Sequence, residues 1–81
     1  NNNRYMEAKF LDLFKEVLEI EDKEISLNDE FREYDEWDSL AYLSVIAMLD
    51  DEFEIVIETE DFKKIRTVGD LLKEVKERTN K

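Results

Sequence analysis

The 81-residue chain contains no proline and one glycine, Gly69. Nothing before that glycine breaks a helix by backbone chemistry or supplies a flexible linker, so its segments must be divided by capping residues and changes of periodicity. Over residues 4–20, Phe10, Leu13, Phe14, Val17 and Leu18 recur at helical spacing between charged residues, the stripe of an amphipathic helix. Residues 21–38 lose that period. Ile25, Leu27, Phe31 and Trp37 are scattered through them, which predicts a long loop pinned to the core by those side chains, with room for a short turn near 28–31. A second helix opens at Asp38 or Ser39, both good N-cap residues, and runs to Phe53 with Leu43, Ile46, Leu49 and Phe53 on its inner face. The alternation Phe53, Ile55, Ile57 has no second strand to pair with and is an extended link. A brief helix over 59–64 follows. The last helix starts at Thr67 and Asp70, a capping box with Asp where Glu or Gln is usual, and carries Val68, Leu71, Leu72 and Val75. The expected fold is all-α: one domain over 1–81, ordered over about 4–79, built as a small bundle of three main helices plus one short helix.

Composition narrows the function. The chain has no cysteine and no histidine, and so no disulfide, no thiolate, none of the usual nitrogen or sulfur metal ligands and not the commonest general base. No catalytic residue, no metal site and no enzyme activity are expected. A net charge of −11 repels nucleic acid and anionic membranes, draws in basic protein patches and favours a monomer. No apolar run reaches a membrane span, and Asn1 to Tyr5 lacks the layout of a signal peptide, so a cytoplasmic protein without membrane insertion is expected. Between Asp35 and Asp61 there is no Lys or Arg, which predicts a one-signed acidic surface. A calcium loop starting at Asp50 fails, because Ile55 stands where Gly is needed and Asp61 where Glu is needed. A glycosidase pair of carboxylates needs a cleft that a bundle this small does not offer.

Ser39 is the candidate for chemistry. It lies in Glu36-Trp37-Asp38-Ser39-Leu40, after the long loop and at the first turn of the most regular helix, where its hydroxyl faces solvent. Local pattern leaves two roles open for it, a modified residue or a plain helix cap. Trp37 is an anchor of the loop, with shaping of a cargo entrance as the sharper alternative. Tyr42 and Met48 are packing residues.

Three stretches taken together resemble the acyl carrier protein family: Asp38-Ser39-Leu40, then Leu49-Asp50-Asp51-Glu52-Phe53, then Lys64-Ile65-Arg66-Thr67-Val68-Gly69-Asp70. The likeness spans about half the chain with no gap. It implies that Ser39, flanked by Asp38 and Leu40, bears 4′-phosphopantetheine moved from coenzyme A by a phosphopantetheinyl transferase of the holo-ACP synthase type. Ser39 is then an attachment point and not a nucleophile, and the arm's thiol accepts the acyl group. The resemblance also implies docking of acyl-loading and acyl-using enzymes with basic patches on Glu36, Asp38, Leu40, Asp50, Asp51 and Glu52. It implies an acyl chain folded back near Leu43, Ile46, Ile57 and Phe62. Ala41 and Ser44 fill positions that are commonly acidic in fatty acid carriers, and Glu58 stands where Pro is common. These departures point to a dedicated lipid or polyketide-type pathway more than to general fatty acid synthesis. The alternatives are an aminoacyl carrier of the peptidyl or D-alanyl kind, or a carrier-fold interaction domain without the arm.

Overall fold

The computed structural model describes residues 2–79. Helix α1 spans Asn2–Val17, α2 Ser39–Phe53, α3 Thr59–Phe62 and α4 Val68–Thr79, with a 3₁₀ turn at Phe31–Glu33 in the long loop. Among the described residues there are no strands beyond one isolated antiparallel bridge between Glu30 and Thr67, so the all-α expectation holds. Helix α1 starts two residues before the expected Arg4, and Asn1, Asn80 and Lys81 lie outside the described residues.

α1 packs on both α2 and α4, and α2 packs on α4. Phe10, Phe14 and Leu18 are the buried members of the α1 stripe, while Leu13 and Val17 are half-buried at its margin. Every apolar position named for α4 is buried: Val68, Leu71, Leu72 and Val75. In α2 the inner stripe is Ala41, Val45, Met48 and Leu49. Leu43, expected inside, points outward with 58% of its surface exposed. This helix is apolar nearly all round, so the 3.6 period has two competing phases, and contact with α1 and α4 decides for Ala41.

The helix ends lack the usual glycines. α1 ends three residues earlier than the expected Ile20 because Glu19 takes a left-handed conformation, φ 58°. The amide of Glu19 donates to Glu16 O at 3.0 Å and that of Ile20 to Lys15 O at 3.0 Å, a Schellman closure that drops Ile20 into the core. Glu54, at φ 57°, ends α2 in the same region of backbone space and releases the link in which Ile55 and Ile57 are buried and Val56 is exposed.

Residues 21–38 form a loop sewn to α4. Val68 N–H donates to Asp29 O at 2.9 Å and Gly69 N–H to Leu27 O at 2.8 Å, so loop carbonyls satisfy two amides that α4 itself leaves unpaired. The glycine serves this approach: a Cβ on Gly69 would stand 2.9 Å from Leu27 O. Asp29 Oδ2 accepts from Ser26 N–H at 3.0 Å and from the Tyr34 hydroxyl at 2.7 Å. The Ser26 bond, followed by the Tyr34 bond, holds its carboxyl below the usual carboxylate range.

The capping box at α4 closes in both directions. Asp70 N–H donates to Thr67 Oγ1 at 3.0 Å, and Thr67 N–H donates to Asp70 Oδ2 at 3.2 Å. The Thr67 amide is the main reason that the Asp70 carboxyl ionises below its ordinary value. A depressed carboxylate contributes stability that is present above the unfolded pKa and lost as pH falls through the folded one. Asp70→Ala is therefore predicted to cost about 1 kcal/mol at pH 7, with the gap to the parent shrinking below about pH 4. Urea denaturation of both proteins at pH 7 and pH 2.5 measures this, and an equal gap at both values would contradict it.

Candidate functional site

Three contacts of Trp37 set the approach to α2. The Trp37 ring packs on Phe31 at 4.8 Å between centroids and lies parallel to Phe62 at 6.3 Å, with an interplanar angle of 6°. Trp37 N–H donates to Tyr34 O at 3.1 Å. Trp37 thus anchors the loop end, as the simpler of its two expected roles requires. With that residue held, Asp38 adopts extended backbone and turns its side chain back onto the helix, where Oδ1 accepts from Ala41 N–H at 2.8 Å. Asp38 is the N-cap.

Ser39 is consequently the first residue inside the helix and not its cap. It is exposed, and among the described residues its hydroxyl has no hydrogen-bond partner. It stands at the amino end of a 15-residue helix, whose partial positive charge favours an anion.

An open groove of about 440 Å³ begins at Ser39 and runs between the start of α2 and α3. Trp37, Tyr42 and Phe62 supply its aromatic surfaces, with Arg32, Thr59 and Lys63 also on its wall. The Tyr42 hydroxyl lies 3.5 Å from Thr59 Oγ1 and joins α2 to α3 across it. The Arg32 guanidinium donates through Nη2 to Phe62 O at 2.8 Å and through Nη1 to Ile65 O, closing the carboxyl end of α3. It also lies over the rings of Phe31 and Phe62, at 5.0 and 5.2 Å.

The expected docking residues fall into three sets. Asp38 and Leu40 flank Ser39 and are exposed, Leu40 by 73%. Glu36 is half-buried and paired with Lys23 Nζ at 3.2 Å. Asp50, Asp51 and Glu52 sit at the far end of α2, about 18 Å along the axis from Ser39. The one-signed surface is interrupted, because folding brings cations from elsewhere in the chain: Lys23 to Glu36, Lys9 to Glu52 at 3.8 Å, Arg78 to Asp61 at 3.2 Å, and Arg32 and Lys63 to the groove. A run without cations in sequence does not predict a surface without cations, since neighbours in space are set by packing. Sequence reasoning missed Arg32 and Lys63 for this reason. It missed the exposure of Leu43, one helical turn from Leu40, through the phase ambiguity of α2.

Residues 8–75 match the family described as "Phosphopantetheine attachment site". Over 71 residues the chain is 39% identical to the acyl carrier protein of Streptococcus thermophilus, covering 88% of this chain and 92% of that one. The chain belongs to the acyl carrier protein family. It is likewise 37% identical over 57 residues to the acyl carrier protein of Exiguobacterium sibiricum, across 70% of this chain and 72% of the other. The fold matches the solution NMR structure of the holo acyl carrier protein from Geobacter metallireducens with a TM-score of 0.79 at 23% identity, over 93% of this chain and 85% of that chain. As an acyl carrier this chain is not an enzyme, and its prosthetic group is 4′-phosphopantetheine. The residues around α2 fit such a group: a free, exposed hydroxyl, the positive end of a helix and an open groove beside it. Carriage of this kind requires a phosphopantetheinyl transferase and acyl-handling enzymes as partners. Among the described residues no helix is long and apolar enough to cross a membrane.

Proposed function

We propose that residues 1–81 act as a single carrier domain whose arm is attached at Ser39. The observation that carries this reading is the division of labour at the start of α2. Asp38 does the capping, so the Ser39 hydroxyl is exposed and unengaged. In loading by a holo-ACP synthase type of transferase, Ser39 Oγ forms a bond to the β-phosphorus of coenzyme A, the pyrophosphate bond breaks and 3′,5′-ADP leaves. The Ser39 proton passes to a base supplied by the transferase. The helix end would hold the resulting phosphodiester. Once attached, the group supplies the terminal thiol that bears cargo as a thioester.

Asp38 and Leu40 form the docking point beside the site. Asp50, Asp51 and Glu52 form a second, more distant one, and Glu36, tied to Lys23, contributes less. Exposed Ser44 lacks the charge that a general fatty acid carrier tends to place there, whereas Ala41 is buried in the inner stripe of α2; the uncharged Ser44 supports a dedicated lipid or polyketide-type pathway. The setting would be the cytoplasm, where coenzyme A is available.

Asp38→Asn tests the local docking. Asparagine is as good an N-cap as aspartate, so the variant changes charge and keeps the helix start. Loading by the transferase at low salt is predicted to slow about tenfold, equivalent to about 1.4 kcal/mol of lost charge pairing, whereas Glu77→Gln on α4 leaves it unchanged. The difference shrinks as added salt screens the pair. Equal effects of the two substitutions would contradict docking at Asp38.

A further inference from the structure

Resting on the reading of Ser39 as the attachment point, we infer that Phe62 plugs the interface between α2 and α3, so that this carrier holds short acyl cargo in the open groove and does not draw a long alkyl chain into its core. Phe62 is 3% exposed and forms the floor of the groove that starts at Ser39. Four groups fix it. Trp37 lies parallel to it, Tyr42 meets it edge-on at 5.1 Å and 72°, Phe31 packs beneath at 5.9 Å, and the Arg32 guanidinium covers its face at 5.2 Å. Arg32 also binds the Phe62 carbonyl at 2.8 Å, so ring and backbone are held together.

A chain entering between α2 and α3 must displace this ring from all four neighbours. Leu43, one of the side chains expected along the inward route, faces solvent instead. What remains is the outer groove, with aromatic surfaces for a few carbons and Thr59, Arg32 and Lys63 on its wall for a polar end. That chemistry suits a short or polar acyl group.

The test uses full-length holo protein, first shown by intact mass to carry one arm, then loaded in separate samples with butyryl, octanoyl and dodecanoyl groups. Cleavage of each thioester by hydroxylamine is timed. A chain buried in the core would be protected about fourfold more for each additional methylene. The parent is expected to show rates equal within about twofold across the three lengths, and Phe62→Ala to protect dodecanoyl at least tenfold while leaving butyryl unchanged. Phe62→Leu replaces it where the alanine variant does not fold. Length-dependent protection in the parent would overturn the inference, and so would flat rates in a folded Phe62 variant. Failure of the arm to attach would instead count against the reading of Ser39, before any cargo is tested.

Discussion

Ser39→Ala is expected to remove thioester carriage completely while leaving the bundle intact. The substitution deletes one exposed hydroxyl at the first position of α2 that makes no hydrogen bond among the described residues. The cap belongs to Asp38, whose bond to Ala41 N–H does not involve the serine. Stability should therefore change by no more than about 0.5 kcal/mol, the usual range for a surface site without special contacts. Acyl loading, measured as thioester formed per chain after treatment with coenzyme A, transferase and an acyl-loading enzyme, should fall to background. A variant that folds normally and still takes up acyl groups would place the arm on another side chain.

Phe31→Ala is expected to have the largest effect on stability. Phe31 is fully buried, yet it comes from the short 3₁₀ turn of the loop and not from one of the α-helices. Its ring meets Phe14 of α1 at 5.9 Å, Trp37 at 4.8 Å and Phe62 of α3 at 5.9 Å, so one side chain joins the loop to two helices and to the segment that positions Ser39. Truncating a buried phenylalanine costs about 3–5 kcal/mol, and a small domain has only about 5–15 kcal/mol in total. Urea denaturation should show most of the stability gone, with the transition moved to low denaturant. A loss under about 1 kcal/mol would mean that the loop closes over the gap and that Phe31 is not the pin described here.

Local sequence carries much of this architecture. The α1 stripe, the Asp38 opening of α2, the Thr67–Asp70 box and the short α3 are all written in neighbouring residues, because periodicity and capping act within one or two turns. The structure adds what depends on distant partners. Leu43 faces outward because the α2 phase is chosen by α1 and α4. Gly69 is required by the Leu27 carbonyl, far away in sequence. Glu19 and Glu54 adopt left-handed backbone without glycine, and their local sequence carries no sign of it. At the site, the resemblance pointed to Ser39, but the groove, the Arg32 clamp and the aromatic plug arise where the loop, α2 and α3 converge.

The most direct measurement is intact mass after incubation with coenzyme A and a broad-specificity phosphopantetheinyl transferase, followed by fragmentation of the product. Attachment at Ser39 predicts a gain of one phosphopantetheine per chain, located on that residue. No gain with two different transferases, or a gain located on any other residue, would contradict it.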